Sequence, residues 1–259
     1  MKKILLVMGI FSLMTGLNAC KGKQEKQDAA GAVDAAHNSR NSLNWDGVYT
    51  GITPCADCPG IRTKIVLNGD NTYTVSREYM DSKDAVYNYS GSFDWSEDGG
   101  AVSLKEDERS PAIRFKVGED ALIQLDMEGN VITGDLADNY ILVKAGPDLL
   151  EKHWKLAELS GKPAGSGSPK EAFIVFKQDD NQVTGNMGCN DTHGTYWLTA
   201  NNGLSFSQMA STSKMCLNMD VEEKLKGVFA NTESYTLRGD TLALEGETST
   251  LARFVAVTE

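Results

Sequence analysis

Two cysteines separated by two residues have the clearest chemical potential in this sequence. Cys55 and Cys58 lie within the run GITPCADCPGI over residues 51–61. Paired soft sulfurs at this spacing can bind a cation such as Cu(I), act as a redox-active dithiol, or form a small structural disulfide. No nearby histidine completes a zinc-like ligand set, and the strand expected after Pro59-Gly60 offers no helix N-terminus to activate a thiol. These residues alone leave the three chemistries open.

A cysteine near the start of the chain predicts a covalent lipid anchor. A basic start followed by an apolar stretch over residues 4–17 is typical of a secretory signal peptide. The run LNAC over residues 17–20 resembles the lipobox of bacterial lipoproteins, which implies cleavage before Cys20 and acylation of that cysteine with chains such as palmitate. Two or three acyl chains anchor a protein stably, whereas one does so only marginally. We therefore expect removal of a signal peptide over residues 1–19 and a membrane anchor at Cys20.

The cysteines that remain after Cys20 predict two disulfides. Outside the cytoplasm an even set of cysteines is usually oxidised in pairs, and a set of four can pair in more than one way. Cys55 and Cys58 lie in the first half of the chain, and Cys189 and Cys216 lie in the second. If the two halves fold independently, one connectivity alone keeps every bond within a half. We therefore predict the pairs Cys55–Cys58 and Cys189–Cys216.

Charge and histidine content argue against two classes of function. The formal net charge is −11, and it becomes −13 after cleavage because Lys2 and Lys3 are the only charged residues removed. Such an acidic surface repels phosphate backbones, so we expect no nucleic-acid partner. His153 and His193 are the only histidines in the regions expected to fold, and neither lies in a recognisable catalytic motif. We therefore expect no enzymatic activity and no resident cofactor.

The sequence around the first cysteine pair predicts a β-rich domain that follows a tether. Residues 20–44 are polar and predict a flexible tether, because they offer almost no large apolar groups for a core. Over residues 45–146, short alternating runs separated by turn residues predict an antiparallel barrel or sandwich without a long helix. The alternation of apolar side chains over residues 61–67 before the turn at 68–71 is the clearest example. A barrel of this kind could hold a small apolar ligand in its cup.

The second half reads as another β-rich domain with one helix, over residues 147–259. Gly146-Pro147 marks the expected boundary, since proline cannot extend a strand ladder. Asp220-Val221-Glu222-Glu223 predicts a capping box, and apolar residues recur after it at helical spacing. We expect the apolar face of that helix to pack on the sheet.

Both halves resemble known families. The GITPCADCPGI run and the NTY run at 71–73 closely resemble the N-terminal domain of the NlpE family of envelope lipoproteins over about residues 45–144. That resemblance implies a lipocalin-like barrel, a site at Cys55 and Cys58, and links to copper tolerance and envelope stress. The GCN run at 188–190 and the Ser211-Thr212-x-x-x-Cys216 spacing resemble the META domain, also called HslJ-like, over about residues 149–257.

The cysteines of the second half have two interpretations. Asn190 is expected to tolerate a left-handed turn, which a Cys189–Cys216 bridge would hold against the loop before the helix. The alternative is a soft copper site built from these cysteines together with three further side chains. Those side chains are His193, Met209 and Met215.

Together these features predict a non-catalytic envelope lipoprotein that senses or binds a partner. Lys21 follows Cys20, and by resemblance to lipoprotein sorting rules a residue other than aspartate there favours the outer membrane. The expected partners are the membrane, through the acyl chains, and a small apolar ligand or an envelope protein. The alternative is a copper-binding or thiol-redox module that acts through Cys55 and Cys58.

Overall fold

The computed structural model of the chain describes residues 37–82, 85–107, 109–164 and 168–257. The predicted signal peptide, the acylated Cys20 and the tether up to residue 36 lie outside the described residues. Within the described ranges, no helix has both the length and the apolar character needed to cross a bilayer.

The first half folds into a nine-stranded antiparallel sheet. Alternation of buried and half-exposed positions along the second strand, Ile61–Leu67, is the pattern of a strand with one face in a core. Asn71 adopts a φ of 63° in the turn that follows, a conformation that asparagine tolerates better than most residues. The strands are β1 (Gly47–Thr53), β2 (Ile61–Leu67), β3 (Thr72–Tyr79), β4 (Val86–Ser92), β5 (Asp94–Trp95), β6 (Ala101–Leu104), β7 (Ile113–Gly118), β8 (Ala121–Gln124) and β9 (Ile141–Lys144).

This sheet curls into a nearly closed barrel. Its strand order is β4-β3-β2-β1-β9-β8-β7-β6-β5, so β4 and β5 lie at the two ends of the sheet. The Tyr73 hydroxyl on β3 reaches the residue after β6, where it donates to the Lys105 carbonyl and accepts from the Lys105 N–H at 3.0 Å. A short 3-10 helix, Ala137–Tyr140, precedes β9.

Side chains fill the interior of the first barrel. Each is almost fully removed from solvent, and together they form one apolar cluster. The members are Tyr49, Ile65, Leu67, Tyr73, Val75, Phe93, Val102, Leu104, Phe115, Val117, Leu122 and Leu142. These side chains form the core of the first barrel.

The last residues of the predicted tether are packed on the first barrel, which differs from the expectation. Ser39–Ser42 form a one-turn helix, α1. The Ser39 hydroxyl donates to the Val117 carbonyl at 2.7 Å, and the Arg40 N–H donates to the Gly99 carbonyl at 3.1 Å. Composition alone missed this contact because it uses polar and backbone groups, whereas the prediction counted apolar side chains.

The second half forms a closed antiparallel barrel with one long helix. β10 pairs with both β12 and β19, which closes the ring of strands. The strands are β10 (His153–Leu159), β11 (Lys162–Pro163), β12 (Ala172–Phe176), β13 (Gln182–Met187), β14 (Asp191–Thr199), β15 (Gly203–Phe206), β16 (Ala210–Ser211), β17 (Ser234–Arg238), β18 (Thr241–Glu245) and β19 (Thr250–Val257). The predicted fold class, mainly β with a barrel followed by a second β-rich part that carries a helix, is confirmed.

The helix α2 spans Asp220–Asn231 and buries the apolar face that its spacing predicts. Leu225, Val228 and Phe229 lie in the core of the second barrel. The predicted capping box is wrong: the N-cap residue is Met219, whose side chain makes no capping hydrogen bond, and the Asn218 side-chain oxygen accepts from the Asp220 N–H at 3.0 Å. Glu222 is buried within the helix and serves a different contact.

The two barrels touch through specific polar contacts. The Thr50 hydroxyl on β1 accepts from the Leu198 N–H at 2.9 Å and donates to the Leu198 carbonyl at 3.3 Å, all in a buried setting. Lys64 and Asp180 form an ion pair at 2.7 Å nearby. Val143 of β9 packs against the core of the second barrel. The described halves therefore meet through a defined interface.

Candidate functional site

The loop between β1 and β2 holds the first cysteine pair at one end of the first barrel. Thr53 and Thr63 lie beneath it with their hydroxyls 3.1 Å apart, and both side chains are buried. Gly60 is required at the end of the loop because a Cβ there would lie 2.6 Å from the Ile52 side chain. The loop therefore sits on a closely packed base.

Cys55 and Cys58 are joined as a disulfide, with their Cα atoms 5.3 Å apart. Both cysteines are half-buried, and the loop runs directly from β1 into β2 without a helix. A carboxylate oxygen of Asp57 lies 3.6 Å from the Cys55 sulfur. That negative charge favours a bound cation.

A third sulfur lies beside this loop, and sequence reasoning missed it. The Met80 N–H donates to the Gly60 carbonyl at 3.0 Å, and the Met80 sulfur lies 3.6 Å from where a Cβ on Gly60 would stand. Thioether and thiolate sulfurs are the ligands that Cu(I) prefers. Met80 is distant in sequence from the cysteine run, and only the pairing of β2 with β3 brings it close.

The end of the barrel that carries this loop also displays apolar side chains. Antiparallel register places the loop after β8 at the same end, because Ile123 pairs with Ile141 and the Gly51 backbone lies against the Ile141 carbonyl. We call this the cysteine end, comprising residues 54–60 and 125–136. Its exposed apolar side chains are Met127 (75% exposed), Val131 (45%) and Leu136 (57%).

The second cysteine pair anchors a loop to the β13–β14 turn. Cys189 and Cys216 are joined as a disulfide, with their Cα atoms 6.2 Å apart. Gly188 adopts a φ of +97° in that turn, so glycine supplies the left-handed residue expected of Asn190. Met215, beside Cys216, is 97% exposed.

Asn190 is a buried hydrogen-bonding centre, and sequence reasoning missed this role. Its side-chain amide donates to Glu222 at 2.9 Å and to the Lys214 carbonyl at 2.9 Å. Its side-chain oxygen accepts from the Thr212 hydroxyl and the Lys214 N–H, both at 2.7 Å. One buried amide thus joins the turn, the disulfide loop and helix α2.

Glu222 completes this centre from the helix. Its side chain is 2% exposed and accepts a salt bridge from Lys226 at 2.9 Å. Burial alone would raise the pKa of the Glu222 carboxyl, but the hydrogen bonds from Lys226 and Asn190 outweigh it and hold that pKa below its usual value. A buried, fully partnered carboxylate is a structural group here.

The predicted alternative copper ligands of the second half are not brought together as an open site. Cys189 and Cys216 use their sulfurs in the disulfide, and Met215 projects into solvent. The Met209 sulfur packs against Gly194, beside His193 on β14. Within the described ranges, no group of three or more histidine, cysteine, aspartate or glutamate side chains is placed to hold a metal ion.

His153, the other histidine in the folded regions, is packed as a structural side chain. Its ring stacks on Phe173 with centroids 4.1 Å apart, and its Nε2 lies 2.9 Å from Glu171. Lys155 pairs with the other oxygen of Glu171 at 2.6 Å. This surface cluster offers no nucleophile.

A cavity of about 530 Å³ lies where the two barrels meet. Lys144 is its most distinctive group, and burial lowers the pKa of this lysine. The Lys144 ammonium donates to the carbonyls of Asn44 and Asp46 at 2.5 and 2.8 Å. Its charge is therefore already held by backbone oxygens of this chain.

Comparison with known proteins finds a matching family model for each half. Residues 49–135 match the NlpE N-terminal domain, and residues 147–258 match the META domain. The Lipoprotein NlpE of Escherichia coli K12 is 30% identical over 148 residues, which are 57% of this chain and 59% of that protein. The chain thus matches less than two thirds of the length of this curated relative.

Two solved structures are also similar. A crystal structure described as a lipoprotein from Shewanella oneidensis is 40% identical, covers 42% of this chain and 96% of its own, and has a TM-score of 0.39. The crystal structure of the Cpx pathway activator NlpE from Escherichia coli is 19% identical, covers 66% of this chain and 98% of its own, and has a TM-score of 0.30.

Proposed function

We propose that this chain, in which an NlpE N-terminal domain precedes a META domain, is a non-catalytic lipoprotein of the cell envelope that docks an envelope protein and reports stress. Acyl chains on Cys20 anchor it to a membrane. Because the next residue is Lys21 and not aspartate, that membrane is the outer membrane. Its similarity to an Escherichia coli lipoprotein supports the envelope assignment. The relative's description as a Cpx pathway activator motivates the stress role.

One observation carries this proposal: the cysteine end displays exposed apolar side chains at the same end of the barrel as the disulfide-closed loop. The barrel interior holds a continuous apolar cluster, which supports recognition at the outer surface. Met127 and Leu136 are more than half exposed there. Exposed apolar groups on a rigid frame are typical of protein-docking sites.

An envelope-stress reporter tests the docking role. The full chain is expressed in a host that carries the reporter, and its output is compared with that of Met127→Ser/Leu136→Ser. We expect the wild-type chain to raise the output and the double variant to lose most of the rise, because its docking surface is polar. Asn68→Ala is the matched control, since Asn68 is exposed at the opposite end of β2.

Two controls distinguish a lost reporter response from a lower amount of protein. Immunoblots of the membrane fraction report the amount of each variant, and mass spectrometry reports acylation at Cys20. An unchanged reporter response from Met127→Ser/Leu136→Ser at equal protein level would count against docking at the cysteine end. An unacylated, full-length species would count against the anchor.

Cu(I) binding by the reduced loop is a second candidate function. The position of Met80 favours it, because reduction would bring two thiolates and one thioether sulfur to the same loop beside Asp57. In the oxidised form the two cysteine sulfurs are bonded to each other. Cys55, Cys58 and Met80 would hold the ion once the disulfide is reduced.

A competition titration with a Cu(I) chelator tests this candidate. We expect the reduced chain to take Cu(I) from the chelator, Cys55→Ser/Cys58→Ser to lose this ability, and Met80→Leu to bind more weakly. Met219→Leu is the matched control, because Met219 lies in the second half, at the N-cap of α2. Equal binding by the wild-type chain and the double serine variant would rule out this site.

A further inference from the structure

Strand β4 has a long free edge in the first barrel. Among the described residues it pairs with β3 alone, and it lies at one end of the sheet order. The other strands with a single partner strand are each two residues long, whereas β4 spans seven residues. Those short strands are β5, β11 and β16, and β11 also contains Pro163.

The free edge of β4 lacks the features that usually prevent pairing with another chain. Native edge strands are protected by charged side chains, proline, bulges or short length. Residues 85–93 contain no charged residue and no proline, and β4 pairs with β3 without a shift in register. Val86 and Tyr87 are each 51% exposed.

The backbone groups that point outward from β4 can be identified from its register. The Tyr79 N–H donates to the Ala85 carbonyl at 3.1 Å, so these two residues form a hydrogen-bonded pair. Such pairs alternate along antiparallel strands, which directs the backbone groups of Tyr87 and Tyr89 toward β3. The backbone N–H and C=O groups of the alternate residues therefore point away from the sheet. Those residues are Val86, Asn88 and Ser90.

We propose that β4 pairs with β4 of a second copy of this chain, antiparallel and about a two-fold axis at Asn88. In this register Asn88 faces Asn88 of the partner, and Val86 faces the partner's Ser90. On the other face of the strand, Tyr87 lies opposite the partner's Tyr89, giving two aromatic cross-strand pairs, an arrangement that stabilises antiparallel sheets. The strand is thus self-complementary.

Charge does not oppose a second copy at this edge, although it does over most of the surface. Each chain carries a net charge of −11, so most surfaces of two copies repel each other. The uncharged stretch over residues 85–93 places no like charges in register across the axis. We therefore expect the pairing to strengthen as salt rises, because salt screens the repulsion between the two acidic molecules.

One edge strand buries less surface than the roughly 1,200 Å² typical of stable complexes, so we expect a weak dimer that covalent trapping reveals. Residues that face each other as a hydrogen-bonded antiparallel pair have Cα atoms about 5.5 Å apart, which suits a disulfide. Asn88→Cys in the full chain, expressed in cells, should therefore yield a disulfide-linked dimer on a non-reducing gel. Ser90→Cys is the matched control, since Ser90 faces the partner's Val86.

Further variants keep the test decisive. The double variant Val86→Cys/Ser90→Cys should cross-link, and adding Asn88→Lys to it should reduce the cross-link several-fold because two lysines would face each other. The proposal is overturned if Asn88→Cys gives no dimer, if Ser90→Cys alone cross-links equally well, or if Asn88→Lys has no effect. A cross-link to a different protein would also overturn it and assign the edge to that protein's extended segment.

Discussion

At the scale of single residues, the buried Asn190 amide is the most informative side chain. It contacts three segments that are separate in sequence: the β13–β14 turn, the loop that holds Lys214, and Glu222 on α2. Buried polar groups stabilise a fold only when they are fully partnered. Asn190 and Glu222 satisfy each other, and the loop that contains Cys216 depends on both.

Asn190→Ala should lower the free energy of unfolding by about 2–4 kcal/mol, because it removes several buried hydrogen bonds and leaves the Glu222 carboxylate partly unpartnered. Urea unfolding measures the change. Asn139→Ala, at an exposed asparagine, is the control and should change stability by less than about 0.5 kcal/mol. A similar small effect at Asn190 would contradict the assigned role.

The lowered pKa of Glu222 predicts a specific dependence of stability on pH. Its pKa is held below the usual glutamate value of 4.5, so its contribution is present above that pH and is lost as the pH falls through the lower, folded value. Glu222→Gln should therefore cost most stability at neutral pH, and the difference from the wild type should shrink in acid.

Unfolding curves at several pH values measure this difference. Glu223→Gln is the matched control because Glu223 is exposed on the next position of the same helix. A constant difference between the wild type and Glu222→Gln from neutral to acid pH would show that the carboxylate charge is not involved.

At the scale of elements, glycine and disulfides decide how closely strands and loops approach. Gly185 on β13 has no room for a side chain, since a Cβ there would lie 2.0 Å from the Phe173 carbonyl oxygen on β12. Gly227 on α2 has open space around the same position. Gly185 is therefore required by packing, whereas Gly227 only adds to the backbone entropy that is lost on folding.

Gly185→Ala should destabilise the chain by about 2–3 kcal/mol, because the new methyl group must push β12 and β13 apart. Gly227→Ala should stabilise it by about 0.5–1 kcal/mol, because alanine favours an exposed helical position over glycine. Chemical unfolding of both variants measures the two effects. Stability changes in the same direction for both variants would contradict the packing argument.

The two disulfides should contribute unequally to stability. The Cys189–Cys216 bond spans 27 residues and the Cys55–Cys58 bond spans 3. Loop-closure entropy then predicts losses of about 3–4 kcal/mol for Cys189→Ser/Cys216→Ser and about 1.5 kcal/mol for Cys55→Ser/Cys58→Ser. Thermal unfolding of the two double variants shows which one loses more stability. A larger loss for Cys55→Ser/Cys58→Ser would contradict this prediction.

At the scale of the whole molecule, the two barrels share a buried contact at Thr50 and Leu198. The backbone groups of Leu198 that bond to the Thr50 hydroxyl are in a buried setting, where an unpartnered group is costly. The nearby Lys64–Asp180 pair is partly exposed and contributes less. We therefore expect the interface to depend on Thr50 more than on the ion pair.

Thr50→Val should lower stability by about 1–2 kcal/mol and weaken the coupling between the barrels, because the Leu198 N–H loses its acceptor. Differential scanning calorimetry should show one transition for the wild type and a broadened or split transition for Thr50→Val. Lys64→Ala, the control, should leave the shape unchanged. Two separate transitions in the wild type would show that the barrels unfold independently.

Elements with local signals follow from the amino-acid sequence alone. Alternation over residues 61–67 gave β2, and helical spacing after Asp220 gave α2, because a side chain's direction follows from its position along a strand or helix. The cysteine loop was placed between strands by its flanking turn residues.

Contacts between groups that are distant in sequence depend on how the whole chain folds. Asn190 and Glu222 are 32 residues apart, and Thr50 and Leu198 are 148 apart, so no local pattern predicts either contact. The same holds for Met80 beside the cysteine loop and for the free edge of β4. Strand order and register bring these groups together or leave them unpaired, and both are set by packing of the whole chain rather than by neighbours in sequence.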